Sequence, residues 1–117
     1  MTVDQPVPCG EARGRIRQLA QEIASGAVDP RQGANSIYGA AWESGAWDDG
    51  SECEDLADPG AAFVQLAYEL ARSDDDPELM AAWQKLTREA AEAYVAGRAL
   101  PDWTLVPGSR YPVLGGP

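Results

Sequence analysis

The residues of this chain best suited to chemistry are carboxylates. Residues 48–58 hold Asp48, Asp49, Glu52, Glu54, Asp55 and Asp58, six acids in eleven positions with no basic residue among them. A second cluster, Asp74, Asp75, Asp76 and Glu78, follows. Grouped carboxylates can hold a divalent cation, act as an acid–base pair, or attract a cationic partner.

The spacing tests the first of these. With Gly50 as the sharp-turn glycine of a calcium loop, positions one, three and five would be Gly45, Trp47 and Asp49, so two oxygen ligands are missing and an EF-hand is excluded. Acid–base work of the glycoside-hydrolase kind needs a cleft between the two carboxylates, which a small helical domain rarely provides. The chain has no His, and no GxSxG, GxGxxG or Walker A pattern, so imidazole-assisted nucleophilic catalysis and phosphate-cradling loops lack their residues. Ser36 lies more than a turn inside a helix that opens at Asp29-Pro30, unlike the modified serine of an acyl carrier. No enzyme and no cofactor is expected.

Attraction of a cationic partner fits the charge distribution better. Of the formal charge of −10, residues 1–47 contribute −1, residues 48–78 contribute −10 and residues 79–117 contribute +1. Such a block reads either as a solvated connector or as a surface that steers a basic protein and sharpens its specificity. On the second reading Asp48, Asp49, Glu52, Glu54 and Asp55 supply attraction and Trp47, directly before them, supplies an aromatic anchor. On the first, Trp47 folds back over the helix ends. Arg13, Arg15 and Arg17 are open to solvation, to pairing with the acidic segment or to holding a phosphate, but a nucleic-acid site on three arginines would face the repulsion of the whole molecule.

Cys9 and Cys53 show neither a CxxC spacing nor a His partner, which leaves zinc binding without ligands and predicts two reduced bystanders. The opening residues lack an apolar stretch of signal-peptide length, and no later run approaches a membrane span of ~20 residues, so a cytoplasmic location without membrane association is expected.

The elements that must position these groups are helices. Asp-Pro occurs at 29–30, 58–59 and 76–77, each an N-cap candidate followed by a residue that suits the first helical position. Apolar spacing predicts a first helix over about 10–25, a second from Asp29 to Gly45 with a stripe of Ala34, Ile37, Tyr38, Ala41 and Trp42, and Gln32 placed to close a capping box. A third runs from Pro59 to Arg72, with Phe63, Leu66, Ala67 and Leu70 inward and Gln65, Glu69 and Arg72 opposite. The fourth runs from Pro77 to about Ala99 on Met80, Trp83, Thr87, Ala90, Ala91 and Tyr94. A short helical turn is expected between Glu52 and Leu56. Beyond Ala99, prolines at 101, 107, 112 and 117 forbid a helix, while Trp103, Leu105, Val106, Tyr111, Val113 and Leu114 favour an extended strap over the domain or a partner-binding segment.

Two phrases, IRQLAQEIASGAVDPRQGANSI and FVQLAYELARSDDDPE, resemble a loosely defined group of small bacterial helical proteins of unknown function, over roughly residues 15–95. The matching positions, including Leu19, Ile23, Gly26, Pro30, Gly33, Ile37, Phe63, Leu66, Glu69 and Pro77, are core and turn positions, so the resemblance implies a fold and no catalytic residue. Some acidic proteins of this general plan are immunity proteins that neutralise toxins, although the tyrosine pair of the nuclease-colicin immunity proteins is absent here. The sequence thus predicts an all-α chain: an arm over 1–9, a compact four-helix, bundle-like domain over 10–99 and a Pro-rich extended strap over 100–117. Its expected role is a non-enzymatic interaction module, immunity- or antitoxin-like, that binds a basic protein. The alternative is a small-molecule or metal-binding helical domain, which a deep pocket between helices would mark.

Overall fold

The structure is a computed structural model that describes residues 8–48 and 50–100. Asp49 and the prolines and aromatics of the expected strap beyond Leu100 lie outside the described residues. Those residues form α1 (Cys9–Ser25), α2 (Pro30–Glu43), a 3-10 turn (Glu54–Leu56), α3 (Ala57–Arg72) and α4 (Pro77–Ala96), with no strand among them. The all-helical expectation holds.

Two of the three Asp-Pro signals act as read. Asp29 Oδ2 accepts from the Gln32 N–H at 3.1 Å, and Asp76 Oδ1 accepts from the Leu79 N–H at 3.1 Å, each satisfying a backbone donor that the first helical turn leaves without a partner. The third does not. Helix α3 opens at Ala57, continuous with the 3-10 turn, and Asp58 caps nothing because Asp58 and Pro59 already lie in its first turn. Proline is tolerated there because first-turn N–H groups have no intrahelical acceptor. Helix α4 ends at Ala96, short of the expected Ala99, because Gly97 takes the left-handed conformation at φ 73° and its N–H bonds back to Tyr94 O.

The core is built from α1 residues Ala12, Ile16, Ala20 and Ile23, α2 residues Ala34, Ile37 and Ala41, α3 residues Phe63, Leu66 and Leu70, and Trp83, Ala90 and Ala91 of α4. Helix α2 packs against both α1 and α3, while α4 packs against α1 and, less extensively, α3. Small residues set the closeness of these contacts. A Cβ placed on Gly60 would stand 2.6 Å from the Ala41 Cβ, so α2 and α3 meet at a separation that only glycine permits.

Two residues depart from their expected faces. Trp42, read as core, is 64% exposed. Ala34, Ile37 and Ala41 already form the i, i+3, i+7 stripe, and Tyr38 and Trp42 each sit one residue, about 100° of rotation, past it. Glu69, read as outward, is buried at 4% exposure, where its carboxylate accepts from Gln65 Nε2 at 3.2 Å and lies 3.5 Å from Arg72 Nη1. Trp83 is core as expected, and its Nε1–H has no hydrogen-bond partner among the described residues.

Candidate functional site

The connector from α2 to α3 is a succession of turns. Gly45, at φ 74°, ends α2, and backbone bonds then run from Asp48 N to Gly45 O (2.9 Å), Ser51 N to Asp48 O (3.1 Å), Glu54 N to Ser51 O (3.3 Å) and Leu56 N to Cys53 O (2.8 Å). The Ser51 hydroxyl adds an acceptor for the Cys53 N–H at 3.0 Å. Ala46, Cys53 and Leu56 are the buried members of this path, and Asp48, Glu52, Glu54 and Asp55 between and beside them are exposed. The carboxylates therefore face water because the apolar residues of the same segment take the core positions.

Two long-range ties fix this path to α1. Cys9 and Cys53 form a disulfide with their Cα atoms 5.3 Å apart, which corrects the reading of two reduced thiols. One turn along α1, Arg13 grips Asp55 in a fork: Nε to Oδ2 at 2.9 Å and Nη2 to Oδ1 at 2.7 Å, with Nη2 also donating to Glu52 O at 3.2 Å. The hydrogen bonds from Arg13 hold the Asp55 carboxyl below its ordinary value, and the same pairing raises the guanidinium. Tyr94 of α4 lies close enough to feel both: burial pushes its phenol up, the Asp55 charge adds to that, and Arg17 and Arg13 oppose it. Of the three α1 arginines, Arg13 is thus committed within the molecule.

Trp47 folds back over the helix ends, as one of its two readings had it, and stays partly exposed. Its Cη2 would lie 2.9 Å from a Cβ on Gly60, so the indole covers the α2–α3 seam, yet the residue is 42% exposed. It belongs to a cluster that the sequence reading missed. Tyr38, Trp42 and Trp47 touch pairwise, with ring centroids 5.8 Å apart for Tyr38–Trp47, 6.0 Å for Trp42–Trp47 and 6.3 Å for Tyr38–Trp42. The available signal was the i, i+4 spacing of Tyr38 and Trp42 beside a stripe already complete without them.

The structure thus brings Trp47 into the aromatic cluster, leaves Asp48 exposed directly after it in the chain, and brings Glu52 and Asp55 to the α1 side of the connector. The connector and the start of α1 enclose a shallow depression of about 280 Å³, lined by Cys9, Ser44, Asp48 and Glu52 among others. Among the described residues no three His, Cys, Asp or Glu side chains converge as a metal site would require, and no helix is long and apolar enough to cross a membrane. No family model matches the chain, and neither curated proteins nor solved structures give a match.

Proposed function

We propose that this chain is a non-enzymatic protein-interaction module that binds a basic protein through the face around Trp47, Asp48, Asp49, Glu52 and Glu54, with Asp55 holding that face to α1. The observation that supports it is the exposed aromatic cluster at the edge of a connector that carries the charge excess and is tied down by a disulfide and a forked ion pair. A pre-set surface loses less entropy on binding, and an aromatic centre with a charged surround is the usual composition of an interaction hot spot. In this reading the helices form a bundle-like scaffold, the segment 100–117 is a strap, and an immunity- or antitoxin-like role suits the acidic surface. The disulfide favours an oxidising compartment over the cytoplasm expected from the lack of an apolar signal-length or membrane-spanning run.

The test begins with a binding protein recovered from the cell that makes this chain. Replacing Asp48→Asn, Asp49→Asn and Glu52→Gln together should slow association and flatten its salt dependence, while Trp47→Ala should chiefly speed dissociation. Unaltered rates in both variants would reduce the connector to a solubilising loop.

A further inference from the structure

From Gln32 to Ala71 the chain carries eight carboxylates and no basic side chain at all. This stretch comprises nearly all of α2 and α3 and the connector between them. Two of the eight are matched by arginines from outside the stretch, Asp55 by Arg13 of α1 and Glu69 by Arg72. Within this acidic stretch, the Tyr38–Trp42–Trp47 cluster holds two of the three large hydrophobic side chains that stand exposed among the described residues. Tyr68 of α3, the third, already has the guanidinium of Arg72 over its ring, 5.5 Å from the centroid.

The geometry of the cluster discriminates between cations. An ammonium or methylated ammonium is bound best when rings surround it, which requires a gap between them wide enough for the cation. Here the three centroids are only 5.8–6.3 Å apart, so the rings fill the space between themselves. What remains is their outer surface, above all that of Trp42. A planar guanidinium stacks on such a face and still directs its N–H fork sideways to a carboxylate, a combination that a compact, strongly hydrated ammonium does not reproduce. Glu43 and Asp48, both exposed, directly follow the two tryptophans in the chain. An anionic membrane or nucleic acid would meet repulsion from the same carboxylates.

Resting on the function proposed above, we infer that the surface of Trp42, Trp47 and Tyr38, bordered by Glu43 and Asp48, is the docking site for an arginine-bearing segment of the partner protein, with a guanidinium stacked on Trp42. Trp42 is then the centre of the interface and the connector carboxylates its surround.

The experiment uses the oxidised full chain and short synthetic peptides of alternating glycine with arginine, with lysine, or with neutral citrulline, the isostere of arginine. Binding is followed by the shifts of the Trp42 and Trp47 indole N–H resonances and by calorimetry at low salt. We expect the arginine peptide to move both indole signals and to bind about 5-fold or more tighter than the lysine peptide, with no binding of the citrulline peptide. Trp42→Ala, at a side chain too exposed to hold the core together, should bring the arginine affinity down to the lysine level and leave lysine unchanged, while Trp42→Phe should keep part of the preference. Equal affinity for arginine and lysine, or a preference that survives Trp42→Ala, overturns this inference while leaving the acidic-face reading intact. Failure of both cationic peptides to bind overturns the two together.

Discussion

Opening the Cys9–Cys53 bridge is expected to be the most costly single change that leaves the core composition untouched. The two cysteines are 44 residues apart in sequence, and the ring they close contains all of α1 and α2. Restricting an unfolded chain by a loop of about 45 residues corresponds to roughly 4 kcal/mol at 25 °C on the chain-entropy relation, and measured bridges commonly give ~2–4 kcal/mol. Each kcal/mol shifts the midpoint of a domain this size by about 4–8 °C, so reduction should lower Tm by roughly 10–25 °C. Cys9→Ala with Cys53→Ala should do the same, with a small further loss because Cys53 is only 2% exposed and its sulfur fills core space. The assay is a thermal melt with and without a phosphine reductant, paired with a thiol titration that finds no free thiol before reduction and two after. A midpoint that moves by less than about 3 °C once both thiols titrate would refute this reasoning, because the bridge would then not constrain the unfolded chain as its span requires.

Gly60→Ala should destabilise the protein by about 1–3 kcal/mol and shift the emission of Trp47, because the new methyl would meet the Ala41 Cβ and the indole edge at under 3 Å; an unchanged denaturant midpoint would show that α2 and α3 can separate freely. Asp29→Ala and Asp76→Ala should each cost about 1 kcal/mol in chemical denaturation, whereas Asp58→Ala should cost less, since its carboxylate caps no helix; equal losses at all three would contradict the observed start of α3. Arg13 depresses the Asp55 carboxyl in the folded state, so the stability this pair contributes is present above the ordinary value of 3.8 and disappears as pH falls through the depressed one. Asp55→Asn should accordingly flatten the acid limb of a stability–pH profile, an effect that added salt weakens because both groups are exposed.

Sequence reading reached the helices where local chemistry decides them. Asp29 and Asp76 announce their helices by a carboxylate three residues before the N–H it accepts from, a contact that depends on no distant residue. The start of α3 escaped because Asp58-Pro59 carries the same local signature, while the 3-10 turn before it lets the helix begin earlier. Trp42 escaped because a stripe drawn through every apolar residue of α2 is wider than the face α1 and α3 cover. Of the site, the acidic segment and Trp47 were legible from composition alone. The disulfide and the Arg13–Asp55 fork were not, since pairings 44 and 42 residues apart are set by the packing of α1 against the connector. The cluster of Tyr38, Trp42 and Trp47 likewise requires knowing that the connector doubles back over the end of α2.

The bridge and the aromatic face share one segment of backbone, only six residues from Trp47 to Cys53. On the function proposed above, a partner docked on this face and the thiol–disulfide couple would act on one element, and any difference in the partner's affinity for the two redox forms would link them thermodynamically. Whatever factor of affinity the partner gains from the oxidised over the reduced chain must reappear, by reciprocity, as a more negative reduction potential of the bridge in the complex. A tenfold preference corresponds to about 30 mV for this two-electron couple. A partner that favoured the bridged form would therefore protect that form from reductants, and the redox poise of the surroundings would in turn set how much of the chain is competent to bind.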